Sequence, residues 1–382
     1  MKSQSVQHIM EGRPGTEVIL DGKKYLYFAG TSYFQLHTHP KVLEAAEDAT
    51  HKFGIGSATT RAMTGTTPLL KKVEDKLASY FNTEDAAYLP SGWLSSLAGM
   101  KALDEMGLYD KIFLDEGSHY SLVDGAMATG RPVIRFQNRN LKNLEKLMAK
   151  HLGPNERPLV ATDGLFPVIA SLAPIGEYLD LALKHGGVVW VDDAHGVGIL
   201  GLHGRGSCEA LGTRSDKIFL GATLSKAFGS YGGIVLGSNS FIQQVRSGGV
   251  LTGSSSPMNA AVAASIKGIE LVQENPGFRI KLWENARFLK ESLGKLGIIS
   301  ESRHLPEMHG IIPVVSFSFG DAENMKSIQN HLLEEGIYIQ YTDYKGAGPG
   351  GMLRMVVTSS HKKVEIVRLS TALKEALGRF RP

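Results

Sequence analysis

One lysine in this chain sits where an amine can react. Lys226 lies in Gly221-Ala222-Thr223-Leu224-Ser225-Lys226-Ala227-Phe228-Gly229, directly after Ile218-Phe219-Leu220, an apolar run that reads as the end of a strand. Small and apolar neighbours make the ammonium form costly, so burial there lowers the amine's pKa and leaves it nucleophilic. The matching electrophile is a carbonyl, with which the amine forms a Schiff base. A surface lysine in a glycine-rich loop is the competing reading, and this stretch alone does not separate the two.

A second group supplies the missing half. Gly187-Val188-Val189-Trp190-Val191 is too apolar for an edge strand and runs straight into Asp192-Asp193-Ala194-His195-Gly196. Functional groups in open α/β sheets collect at the carboxyl ends of strands. A carboxylate there keeps a pyridine nitrogen protonated, so that the ring accepts electrons from a carbanion, and His195 can reach a neighbouring oxygen. Acid at one strand end and lysine at the next point to pyridoxal phosphate (PLP). A third junction fits the same ligand: Ala86-Ala87-Tyr88-Leu89-Pro90 leads into Ser91-Gly92-Trp93, where small residues open a helix N-terminus to an anion such as a phosphate.

Asp192-x-Ala194-His195-Gly196 followed by Thr223-x-x-Lys226-Ala227-Phe228-Gly229 resembles the α-oxoamine synthases, PLP enzymes of fold type I, and the likeness runs from about residue 25 to the C-terminus. The resemblance implies an α/β fold with a mostly parallel central sheet flanked by helices, and a smaller C-terminal α/β domain. It implies that Ser91, Gly92, Trp93, Thr223 and, from the neighbouring subunit of a homodimer, Ser254 (or Thr252) hold the cofactor. His119 is expected to stack on the ring, Thr162 to face its oxygen side, and Asp192 and His195 to bind its edge. Arg354 and His361 are expected to anchor the substrate carboxylate, with Ser32 where the family usually has an asparagine. Ser32, Thr67 and the altered Gly54–Arg61 loop depart from the family pattern. The implied reaction condenses a small amino acid with an acyl-CoA, usually with decarboxylation, to an aminoketone. An aminotransferase and a non-catalytic PLP-fold binding protein are the alternatives.

These residues need a scaffold. Strands and helices alternate from about residue 85 to 235, the pattern of a doubly wound, mostly parallel sheet. Glu17–Leu20 and Lys23–Phe28 flank Asp21-Gly22, the signature of a hairpin. The chain is read as an arm and hairpin over 1–45, a large PLP-binding domain over 46–275 and a small domain over 276–382.

The 382 residues carry 41 basic and 38 acidic side chains, for a net charge of +3. That balance gives no nucleic-acid surface. The single cysteine, Cys208, excludes an intrachain disulfide. No cluster suggests a metal site, and no apolar run is long enough to span a bilayer. The expected location is the cytoplasm.

Overall fold

The computed structural model describes residues 7–298, 305, 309–343, 346–348 and 350–380. Its centre is a seven-stranded sheet in the order Asp85–Leu89, Gly233–Gly237, Ile218–Thr223, Val188–Asp192, Pro158–Asp163, Lys111–Asp115, Val133–Phe136. Every pairing is parallel except those of Gly233–Gly237, which runs antiparallel to both neighbours. Strands of this kind are buried on both faces, which is why they read as continuous apolar runs rather than alternating ones. Helices cover the two faces, among them Trp93–Glu105, Ile175–Leu183 and the long Asn259–Glu274.

The sheet holds its central strand by shape. Trp190 is fully buried, and its indole occupies the space that side chains at Gly99 and Gly221 would take: a Cβ at either position falls within 2.0 Å and 2.6 Å of the ring. Helix and neighbouring strand therefore close directly on the indole, and its register is set two residues before Asp192. Such tight apolar packing around one large side chain leaves little room for substitution.

A smaller sheet, Val314–Phe317, Met352–Val356 and Gln340–Thr342, packs with the helices Ala322–Glu334 and Lys363–Phe380. The N-terminal hairpin joins this unit. Asp21 and Gly22 have φ of 50° and 76°, both in the left-handed region that a two-residue hairpin turn requires. Strand Lys23–Tyr27 then pairs in parallel with Ile337–Tyr338, and Leu26 and Phe28 enter the C-terminal core. A sequence division that leaves 1–45 as a separate arm does not show this pairing, because it is made across some three hundred residues of intervening chain. Among the described residues, no helix is long and apolar enough to cross a membrane.

Candidate active site

The carboxyl ends of the central strands open onto a cavity of about 270 Å³. It is lined by Lys226, Asp192, His195 and His119, by Ser91, Gly92, Trp93 and Thr223, and by Asp163, Ser121, Ser225 and Tyr231 among others. Groups that lie far apart in the sequence thus share one small space.

Lys226 follows the Ile218–Thr223 strand in a tight turn that returns as the antiparallel strand. Burial pushes its amine down to about 8, against the pull of Asp192 and Asp163 upward. The group is therefore half neutral near pH 8 and available to an aldehyde at a pH where a solvated lysine is fully charged.

Asp192 ends its strand with the carboxylate on the same face as Trp190. Its Oδ1 accepts from the Ala194 N–H at 3.1 Å. The Trp190 indole N–H donates to Ser96 Oγ at 3.2 Å, and that hydroxyl donates in turn to Asp192 Oδ2 at 3.4 Å. The buried indole thus also orients the acid.

His195 is half-buried in the cavity wall and held well below the usual imidazole range, first by its removal from bulk water and then by the cations of Lys226 and Arg354 and by His119. It is neutral. Its Nδ1 lies 2.9 Å from the Tyr33 hydroxyl. His119 caps the Tyr120–Met127 helix: Nδ1 accepts from the Ser121 N–H at 3.2 Å and lies 2.7 Å from Ser121 Oγ. Trp93 meets its ring edge-on at 5.5 Å.

The anion end is built from a helix start. Gly92 caps Trp93–Glu105, whose first turn is held by Ser91 and Gly92: the Trp93 N–H donates to Ser91 Oγ at 3.2 Å, and the Leu94 and Ser95 N–H groups donate to the Ser91 and Gly92 carbonyls, while the positive end of the helix still favours an anion there. A Cβ at Gly92 would fall 2.6 Å from Thr223 Cβ and 2.7 Å from Thr223 Oγ1, so only glycine lets the loop close on the threonine. Hydroxyls of Ser91, Thr223 and Ser225 ring the same space. A cradle for a phosphate, a carboxylate for a ring nitrogen and a buried amine for an aldehyde are the donor set that PLP needs. The residues present fit this cofactor.

Three expectations are corrected by the structure. Thr162 lies outside the cavity lining, and its hydroxyl donates to the Asp163 carbonyl at 3.0 Å. Strand register gives the reason: Asp163 pairs with Asp192 and shares its face, whereas Thr162 pairs with Val191 and turns into the core. Asp163 is the residue at the site, pushed up by burial and by the Asp192 carboxylate, and it accepts the His119 N–H at 3.2 Å. Ser32 does not line the cavity either; its hydroxyl bonds the His37 ring, and the adjacent Tyr33 reaches His195 instead.

His361 is the third. It is buried and stacked on Phe28 at 4.5 Å. Its Nδ1 accepts from the Thr358 N–H at 2.9 Å and its Nε2 donates to the Tyr27 carbonyl at 3.1 Å. Both nitrogens are committed, and burial pushes the ring down to about 4, so it ties the hairpin to the last strand as a neutral group.

Arg354 is buried beside the site, where its charge acts on Lys226 and His195. Nε donates to the Pro167 carbonyl at 2.9 Å and Nη1 to Gln340 Oε1 at 3.2 Å. Among the described residues no carboxylate lies within ion-pair distance, which leaves donors of the fork for a ligand. Ser254 and Thr252 lie outside this cavity; Thr252 Oγ1 donates to the Gly248 carbonyl at 3.1 Å.

Asp163, Tyr33, Ser121, Ser225 and Tyr231 were not singled out by sequence reasoning. Strict alternation along Pro158–Asp163, anchored on Asp192, is the signal that selects Asp163 over Thr162. No comparable signal marks Tyr33, which comes from a loop more than 160 residues away.

Asp193, next to the site acid, turns the other way. Its Oδ2 accepts from the Ser207 N–H at 2.7 Å, while Oδ1 and Ser207 Oγ form no hydrogen bond among the described residues. Burial pushes it up to about 7. A raised acid favours folding least where it must ionise, so stability falls as pH rises from 3.8 to 7. About three pK units correspond to roughly 4 kcal/mol at pH 8. Asp193→Asn keeps the acceptor for Ser207 and removes the charge. It should raise the melting temperature at pH 8 and much less at pH 5; equal shifts at both would remove the electrostatic explanation.

Comparison with known proteins places this site. The model of the aminotransferase class I and II family matches residues 25–373. The chain is 32% identical over 369 residues to 8-amino-7-oxononanoate synthase of Coprothermobacter proteolyticus, covering 95% of this chain and 92% of that one. It is 30% identical to the enzyme of the same name from Alkaliphilus metalliredigens, covering 96% and 91%. Among solved structures, serine palmitoyltransferase of Sphingomonas wittichii superposes with a TM-score of 0.87 at 26% identity, covering 97% and 92%. A serine palmitoyltransferase solved with PLP gives 0.88 at the same identity and coverage. The chain belongs to the aminotransferase class I and II family, with the fold of the PLP-dependent type I enzymes. Within it, the chain is a PLP-dependent acyltransferase of the α-oxoamine synthase group, joining an amino acid to an acyl substrate.

Proposed function

We propose that this protein condenses a small α-amino acid with an acyl-CoA thioester, with loss of the amino acid's carboxylate, to give an aminoketone. The observation that carries the reading is that the Lys226 amine and the Asp192 carboxylate face one cavity, which Ser91, Gly92 and Trp93 at the start of a helix also line. When bound there, PLP supplies an electron-accepting ring for the carbanion at the amino acid's α-carbon.

The chain's own groups do the rest. Ser91, Thr223, Ser225 and the first turn of the Trp93 helix hold the phosphate. Asp192 keeps the ring nitrogen protonated, His195 donates to the ring oxygen, and His119 bounds the ring face. The Arg354 fork takes the incoming carboxylate. Lys226, with its lowered proton affinity, removes a proton at the α-carbon and later returns one.

A second copy of the chain completes the site in this reading. Trp93 and Tyr231 line the cavity yet are 45% and 58% exposed. Apolar rings left open at a site mouth fit an interface that covers them, and Ser254 would reach the neighbour's phosphate there.

The test is release of free thiol from acyl-CoA in the presence of glycine, alanine or serine, with the product weighed by mass spectrometry. An aminoketone lacking the carboxylate is expected with one of the three. Exchange of the amino group with a 2-oxoacid, without thiol release, would instead make the protein an aminotransferase.

A further inference from the structure

We propose that Tyr33 is a positioning residue for the reaction: its hydroxyl donates to His195 Nδ1, which fixes the ring proton on Nε2, where it is presented to the cofactor's ring oxygen. The inference deepens the reading of the site given above and rests on His195 facing that oxygen.

Geometry carries it. Tyr33 Oη lies 2.9 Å from His195 Nδ1, across 162 residues of sequence, and Tyr33 is wholly buried. The two rings meet edge-on at 6.5 Å, so the phenol approaches the imidazole by its hydroxyl rather than by its face. Tyr33 is itself pinned: its carbonyl accepts the Ser359 N–H at 2.9 Å, which ties this loop to the small domain.

The direction of the proton follows from the reading above, in which Nε2 donates to the ring oxygen and Nδ1 is therefore left to accept from the phenol. The charged or titratable groups that act on His195 are Lys226, Arg354 and His119, and each disfavours an imidazolium. His195 therefore has one N–H to place. Burial pushes the Tyr33 phenol up to about 12, so it keeps its proton and is available as a donor. A neutral imidazole that accepts at Nδ1 must carry its proton at Nε2. Without the phenol, Nδ1 is left as a buried acceptor with no partner. The ring is then free to take the other tautomer, which presents a lone pair to the cofactor's oxygen.

The consequence is electronic. A donor on the ring oxygen withdraws electron density and lowers the proton affinity of the linkage between Lys226 and the cofactor. Removing the donor raises it. The same loss weakens the electron sink during turnover, so kcat falls while KM for the amino acid changes little.

The experiment is a double-mutant cycle on holoenzyme with Tyr33→Phe, His195→Ala and both, read by visible absorbance against pH and by kcat. Tyr33→Phe should move the absorbance midpoint up by about one unit and lower kcat about tenfold, the scale of one lost hydrogen bond. In the His195→Ala background the same change should have no further effect on the midpoint. Equal shifts in both backgrounds would overturn the proposal, since Tyr33 would then act independently of His195. If His195→Ala leaves the midpoint where it was, the reading of His195 on the ring oxygen fails. If only Tyr33→Phe leaves it there, the inference about Tyr33 fails alone. Should Tyr33→Phe melt too low to assay, nitrogen NMR of wild-type holoenzyme labelled at histidine decides: an unprotonated Nδ1 at His195 is expected, and a protonated one contradicts it.

Discussion

Lys226→Ala is expected to lose the visible absorbance of the purified enzyme and to lower turnover by at least about three orders of magnitude. Two separate losses combine. The first is the covalent link: no other amine lines the cavity, so nothing replaces it among the described residues. The second is proton transfer at the α-carbon, for which a positioned base is worth about 10²–10⁴-fold. The remaining side chains of the site keep their partners: Asp192 accepts from the Ala194 N–H, His195 meets Tyr33 and His119 meets Ser121, none of them through Lys226. The variant should therefore fold and still bind PLP through the phosphate cradle, more weakly and without the chromophore of the linked form. Added primary amine should recover part of the rate. A variant that still carries a pyridoxyl group fixed to the chain by borohydride and retained on denaturation would show that the cofactor is attached elsewhere.

Asp192→Asn is expected to lower kcat by about 10²–10³-fold with little change in fold, the scale of removing one preorganised electrostatic group from a reacting centre. The amide matches the carboxylate in shape and still accepts from the Ala194 N–H. It cannot hold a proton on the ring nitrogen, because a neutral amide does not stabilise a pyridinium. The sign of the pH effect follows. In the variant, solution acidity must supply the proton that the carboxylate supplied, so its deficit relative to wild type should narrow as pH is lowered. A deficit independent of pH would mean that Asp192 serves the structure rather than the ring. Asp163, beside it, does not take over: burial raises its proton affinity against the pull of the His119 N–H that it accepts, which disfavours the charged form a ring nitrogen needs.

Much of this was legible because the chemistry sits at strand ends. Asp192, Lys226 and Ser91 each follow an apolar run, and in a parallel sheet those runs end along one edge. Local sequence therefore reported a three-dimensional neighbourhood. The expectation for Thr162 failed for a reason of parity: one residue along a strand reverses the face, and the pairing with Asp192 puts Asp163 at the site instead. His361 failed differently. Its position after the last strand suits a ligand anchor, but both nitrogens are taken by backbone groups at the junction with the hairpin, a contact over more than 330 residues. Tyr33 was invisible for the same reason. The hairpin's place beside Ile337–Tyr338 likewise depends on a parallel pairing that no local pattern announces.

The measurement that bears most directly on the site is peptide mapping after borohydride reduction of the holoenzyme. Reduction fixes the cofactor to the amine that holds it. The account predicts the added pyridoxyl mass on the peptide containing Lys226 and on no other. The same mass on a different lysine, or a protein whose visible band survives reduction, would contradict it.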